Sequence, residues 1–300
     1  MRHSARLGWE LMVRRAGPLL FVAPFFVLFA VFGVFPLLST VWVSLHRWHL
    51  IEGGQRFVGG ANYLALLGDP FIYNALFNTV SIFVLATVPQ LLCALGIAAL
   101  LDRPLRGRTG WRAVVLLPNV VPVVAVALIF AQLFGRDYGL VNWALGLVGV
   151  EPISWQSEVW SSHLGVAAMV TWRWTGYNAL LFLAAMQSVP GELHEAAVLD
   201  GASRWQAFWA VTVPAIRPTI LFVVVVSTIG GFQLFAEPQL FDASGVGGND
   251  RQFQTIAMYL YENGFGRLDA GYAAAISWVL FLLCAVFAMV NFKLVRRVVK

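Results

Sequence analysis

EAAVLDGASRW, residues 195–205, sets Glu195, Asp200 and Arg204 around Gly201 in a chain that is otherwise poor in charge. Only 12% of the 300 residues are charged and 59% are hydrophobic, against about 25% charged in a typical soluble domain. The stretch is therefore a polar island between apolar segments, and the chain reads as an integral membrane protein. Helix signals surround the island. Ser188 ahead of Pro190 and Glu192 suits a helix start, and Gly201 can take the left-handed conformation that ends a helix. Ser203 and Gln206 form an S-x-x-Q capping box opening a second helix, expected to stop near Pro214 before a new apolar segment begins at Pro218. Glu195 and Leu199, four residues apart, then share one helical face, a charge beside an apolar anchor.

Outward from the island, six stretches reach the roughly 20 mainly apolar residues that a spanning helix needs. They run approximately over 18–45, 72–101, 113–135, 164–188, 218–236 and 270–292. The first two are long enough to tilt. Unbroken apolar runs favour helices over the alternating strands of a barrel. The expectation is an all-α membrane protein, one domain over 1–300 with six transmembrane helices and a polar loop at 189–217. The charge-free run from Ala16 to Leu45 exceeds the apolar core of about 7–15 residues in a cleaved signal peptide, and reads as a retained first span. Of the 20 Lys and Arg, 14 fall in the N-terminal tail, residues 102–112, residues 189–217 and the C-terminal tail. That asymmetry puts both termini and the charged island on the cytoplasmic side of the membrane. The outer loop DYGLVNWALGLVGVEP, residues 137–152, reads either as a short amphipathic helix on the membrane surface or as a loop capping the bundle.

Other functions are excluded by what the chain lacks. Its net charge of +5 and pI near 9.6 could suggest nucleic acid, but no basic patch lies on a soluble surface. Cys93 and Cys284 both fall inside apolar spans and read as small packing residues. A phosphate-binding G-x-x-x-x-G-K-[ST] loop needs a lysine; the only lysines, Lys293 and Lys300, lie at the C-terminal end without that context. With no H-E-x-x-H, no G-x-S-x-G and no Cys/His cluster at metal spacing, the chain reads as neither an enzyme nor a metal binder. Its five histidines are scattered and read as surface or interface residues.

A connector between two spans needs no pair of acids, fixed glycine and apolar edge together; a short rigid helix carrying them can insert into a partner's groove. Here the sequence resembles the permease subunits of binding-protein-dependent ABC importers, whose cytoplasmic loop reads E-A-A, then D-G-A, with a later proline. Glu195, Ala196, Ala197, Asp200, Gly201, Ala202 and Pro214 stand in those positions. The likeness extends to GGANYLALLGDPFIYNALFNT, RPLRGRTGWRAVVLLPNVVP, DYGLVN and AGYAAAISWVLFLL, as in the first permease of the carbohydrate branch, the maltose and glycerol-phosphate type. DASGVGGNDRQFQT departs from the branch's T-G-G-G-P-like loop. The resemblance implies a type I importer permease fold and a first loop helix docked in a cytoplasmic ATPase. Glu195 would pair with a basic group there, and Gly201 would permit the turn. It also implies a second homologous permease, a dimer of ATPase subunits that hydrolyse the ATP, an extracytoplasmic solute-binding protein and a sugar substrate.

The transport path is sought in the spans flanking the loop. Arg173, Trp174, Tyr177 and Asn178 lie close on one helical face, aromatic and hydrogen-bonding as a sugar ring requires. An intramembrane charge points to function; alternatively Arg173, ten residues into its span, snorkels to the outer interface among belt tryptophans. In the next span Ser227, Gly230, Gly231 and Gln233 are candidates, the glycine pair serving either a bend and ligand approach or close helix packing. Ser227 and Gln233 stand about 240° apart on an ideal helix, so both face one path only if the helix distorts. An ion-coupled secondary transporter is the alternative. It would hold acids at membrane depth, and the sequence puts Glu237 only at a span edge.

Overall fold

The computed structural model describes residues 21–242 and 244–298. The first helix, α1, covers Phe21–Ser44, and none of its most apolar window is buried within the chain. The N-terminal arginines and the first residues of the expected span lie outside the described residues.

The chain is not all helix. An antiparallel hairpin, β1 (His46–His49) and β2 (Gly53–Phe57), follows α1 on its outer side. Gly53 and Gly54, which open β2 just after the turn at 50–52, have φ 68° and 73°, torsions that L-residues avoid. Its strands are too short for the alternation that announces a strand in sequence. α2 (Ala61–Leu67) leads to α3 (Pro70–Leu101), 32 residues long. Asp69 caps α3, accepting from the Phe71 N–H at 2.9 Å, with Pro70 at the first helical position, where its missing N–H costs nothing.

The expected span 113–135 is two helices, α4 (Arg108–Val120) and α5 (Val123–Leu133), bent by 87°. Pro122 explains the break: it has no N–H to donate and drives Val121 to extended torsions, where ψ is 134°. The outer loop does contain a helix, α6 (Leu140–Gly146). Asn142 ties it to the following segment, bonding the Ile153 backbone and accepting from the Trp155 indole at 2.8 Å.

α7 (Val159–Gln187) begins at 159 rather than 164, which puts five more helical residues ahead of Arg173. α8 (Gly191–Leu199) is followed by a helical run over 204–215 with a widened turn at Phe208–Thr212. The run ends at Ala215, one residue past Pro214 and so near it as expected. In the widened turn ahead of the proline, the Val213 N–H reaches back to the Phe208 carbonyl. α10 (Arg217–Phe232), α11 (Ala236–Gln239), α12 (Ile256–Tyr261) and α13 (Ala270–Val298) complete the chain, the run 204–215 being α9.

Four helical segments among the described residues have the length and hydropathy of a span, and the bent α4–α5 pair makes a fifth. α7 is long enough, but Arg173, Asn178 and three tryptophans dilute its hydropathy. It is the central helix, packed on α3, α4 and α10. Gly176 marks its closest approach to α4, where a Cβ would land on the Val115 carbonyl.

At the outer end, the segment 247–255 folds down onto α3 and α7. His163 is fully buried, not a surface residue. Its Nδ1 lies 2.9 Å from Ser81 Oγ, and its Nε2 lies 2.8 Å from the Gln252 carbonyl and 3.1 Å from Asn78 Oδ1. The Asn78 amide donates to the Arg251 and Gln254 carbonyls. Gly247 and Gly248 (φ 89° and 88°) admit this segment, since Cβ atoms would strike the Gln254 backbone and the Gln252 side chain. Of the two cysteines only Cys284 is buried; Cys93 is exposed on the surface of this chain, because it faces outward from α3.

Candidate functional site

The charged island forms a rigid projecting corner. Ser188 does not open α8; its hydroxyl bonds the Ala185 carbonyl and it closes α7, leaving Pro190 at the N-cap. A serine following a helix end can satisfy a carbonyl as readily as an amide, so this local signal was ambiguous. Gly201 takes φ 78°. The Ala202 N–H reaches the Ala197 carbonyl at 2.9 Å and the Gly201 N–H reaches that of Val198 at 3.0 Å, the paired bonds of a Schellman C-cap. Ser203 and Gln206 form the expected capping box, each side chain accepting from the other residue's backbone N–H. His194 on α8 lies 3.0 Å from Thr212 on α9, bracing the corner. Glu195, Asp200 and Leu199 are exposed, Leu199 at 88%.

Above this corner a cavity of about 400 Å³ opens between α3, α7 and α10. Arg173, Trp174, Tyr177, Asn178, Ser227, Gly230 and Gln233 all line it, so the structure gathers every candidate path residue in one place. Ser227 and Gln233 both reach it because α10 ends at Phe232, and Gln233 leaves the helical register. Irregular backbone at membrane depth is tolerated where it borders a polar cavity. The glycine pair divides its labour. Gly230 has nothing within 4 Å of a built Cβ, whereas a Cβ on Gly231 would strike the Phe83 ring. The first leaves room beside the cavity and the second allows α10 to pack on α3.

Arg173 is ion-paired within the chain. It is the middle residue of the 29-residue α7, about 21 Å from its start. Its Nη1 donates to Glu237 Oε1 at 2.6 Å, with side chains 18% and 7% exposed. Glu237 is buried within the chain on α11 beyond the break, two residues before the end of the apolar segment Arg217–Gln239, so it stands at the span edge where the sequence put it. Asn178 is buried and donates to Ser227 Oγ at 3.4 Å, linking α7 to α10. The Trp174 and Tyr177 rings stand nearly perpendicular, 6.0 Å apart, both partly exposed to the cavity. Thr87 and Gln90 of α3 also line it and were missed. Their signal was two polar residues around Pro89 in an otherwise apolar span.

Comparison with known proteins now decides the family. Residues 90–300 match the family described as the binding-protein-dependent transport system inner membrane component. The chain belongs to that family. The permease is 36% identical over 282 residues to the lactose transport system permease protein of Rhizobium radiobacter, covering 92% of this chain and 93% of that one. It is 34% identical to the arabinooligosaccharides transport system permease protein of Halalkalibacterium halodurans, over 96% and 90% of the two chains. A solved bacterial alginate ABC transporter, in complex with an alginate pentasaccharide-bound periplasmic protein, has the same fold. It matches with a TM-score of 0.82 and 20% identity, covering 97% of this chain and 98% of that one. The permease is accordingly a multi-pass inner-membrane transport component and not an enzyme, with the type I ABC importer permease fold that the loop motif implied.

Proposed function

We propose that this permease forms one half of the path by which an ATP-driven importer passes a sugar or oligosaccharide. One observation carries the reading. The helices that supply most of the polar cavity lining, α7 and α10, are the two that flank the projecting corner. Three residues, Ser188, Val189 and Pro190, join α7 to α8, and α9 joins the corner to α10. A push on α8 is therefore delivered to both walls of the cavity.

The cavity's chemistry suits a neutral carbohydrate. Trp174 and Tyr177 offer aromatic faces to the apolar side of a pyranose, and Asn178, Ser227 and Gln233 offer hydrogen-bonding groups to its hydroxyls. The curated relatives are named for lactose and arabinooligosaccharide transport, which agrees. Six spans with both termini cytoplasmic give half a pore, completed by a second homologous permease. An extracytoplasmic binding protein delivers the solute to the outer end. A dimer of cytoplasmic ATPase subunits binds and hydrolyses the ATP. Glu195, Ala196, Ala197, Leu199, Asp200, Gly201, Ala202 and Pro214 make the coupling joint. Glu195 meets a basic group of the ATPase, and Leu199 enters its apolar cleft. A buried acid would also suit an ion-coupled transporter, but the partner that Glu237 holds is Arg173 of the same chain.

The test is the complete importer, reconstituted with Glu195→Ala or Gly201→Val. Loss of ATPase retention, or of solute-stimulated hydrolysis, is the expected outcome. Normal assembly with normal stimulation in both variants would remove the coupling assignment.

A further inference from the structure

We infer that the Arg173–Glu237 ion pair sets the charge selectivity of the path, admitting uncharged polyhydroxylated solutes and refusing carboxylated or phosphorylated ones. The inference rests on the cavity being the path proposed above. Among the described residues lining the cavity these two alone carry charge. Bonded at 2.6 Å, they present a dipole to the solute rather than a net charge.

An uncharged sugar leaves the pair undisturbed and uses the neutral side chains around it. An acidic solute must either lie beside Glu237, carboxylate against carboxylate, or displace it from Arg173. Displacement would leave Glu237 buried without a partner, which is costly in a low dielectric. A cationic solute meets the mirror problem at Arg173. Removing Glu237 would leave the guanidinium free to bind anions, the use to which arginine is best suited. Stability does not account for the pair, because a buried ion pair gains little over apolar residues of similar volume. The two charges also come from separate elements, mid-α7 and α11, and meet across the cavity edge where selection would act.

The cavity's potential can be read without knowing the solute. The complete importer is placed in lipid nanodiscs with Cys93→Ala, Cys284→Ala and Ser227→Cys, the last giving a reporter thiol in the cavity. Methanethiosulfonate reagents bearing a sulfonate, a trimethylammonium or an uncharged group are the probes. The ratio of sulfonate to trimethylammonium rates cancels the thiol's own reactivity. Glu237→Gln is expected to raise this ratio about tenfold, and Arg173→Gln to lower it by a similar factor. The exchanged pair, Arg173→Glu with Glu237→Arg, should restore the parent ratio. The uncharged reagent reports whether the cavity survives in each variant. A ratio unmoved in both single variants, with the uncharged rate intact, would overturn the inference. So would a shifted ratio in the exchanged pair. The path itself is tested separately: if complete modification by the uncharged reagent leaves solute uptake unchanged, the cavity is not the path, whatever the ratio.

Discussion

Gly201 and Gly176 show two ways in which a single residue constrains this chain. At Gly201 the demand is torsional: φ is 78° with open space around the Cα. A side chain there costs about 1–2 kcal/mol through the left-handed torsion alone. Gly201→Asn should therefore be tolerated better than Gly201→Val, in the order of their left-handed preference, as measured by ATPase retention on the purified complex. Equal loss in both would show that the turn matters less than the space. At Gly176 the demand is steric, because the Val115 carbonyl occupies the position of a Cβ. Gly176→Ala should push α4 from α7 and lower stability by about 1–3 kcal/mol, seen as a fall in the thermal unfolding temperature of the complex. An unchanged temperature would mean that the helices part at no cost. Gly201 was legible in the sequence because its neighbours carry a helix stop and a capping box. Gly176 was not, since the group it avoids lies on another helix. Arg173 was half legible: its type announced a site, while its place along the helix and its partner depended on where α7 begins and where α10 ends.

At the scale of elements, hydropathy found the long helices and missed what breaks or joins them. The bend at Pro122 and the end of α10 at Phe232 both lie inside runs that stay mainly apolar on either side, so mean hydropathy alone draws straight spans, although Gly230 and Gly231 did offer a bend. The outer segment 251–269 was the least legible, because its order comes from polar contacts between distant residues. Arg251, itself at φ 56°, donates to both Glu262 oxygens at 2.5 and 2.9 Å, and Gln254 and Arg267 add bonds at 2.8 and 3.0 Å. The Arg251 hydrogen bonds outweigh burial and hold the Glu262 carboxyl below its usual range. Burial pushes Asp69 up, but bonds from Tyr259, Tyr272 and the Phe71 N–H together bring it below its ordinary value. Both carboxyls are depressed in the folded state. Their stabilisation is thus complete above the unfolded-state values of about 4 and disappears as the pH falls through the lower folded values. Hydrogen exchange across 251–269 should be flat from pH 7 to 5, after correction for intrinsic rates, and rise steeply below about pH 4. Glu262→Gln should expose the segment already at pH 7. Loosening between pH 7 and 5 in the parent would mean that a group other than these carboxyls holds it.

The chain leaves both apolar and polar surface that it does not cover itself. Its first span buries none of its most apolar window against the rest of the molecule. Phe25, Phe26, Phe29, Phe32 and Phe35 are all more than half exposed. Lipid would solvate such a surface without penalty, so the exposed phenylalanines alone do not require a partner. The cavity supplies the stronger argument. Its charged and hydrogen-bonding lining is drawn from α3, α7, α10 and the segment reaching α11. Those groups cannot face hydrocarbon, because unsatisfied polar groups in a bilayer cost several kcal/mol each, by rough estimate. Water, solute or another protein surface must close them, and a transport path needs all three in turn. The chain reconstituted alone should therefore show no ATP-dependent uptake and no ATPase activity. Both should appear when the second permease, the ATPase subunits and the binding protein are added together. Uptake of sugar by the isolated chain down a gradient, and abolished by Asn178→Leu, would show that one copy or a homodimer closes the path and that the second permease is dispensable. Uptake only by the full assembly, and lost with the same substitution, would place the solute against α7 and make this chain the half that handles it.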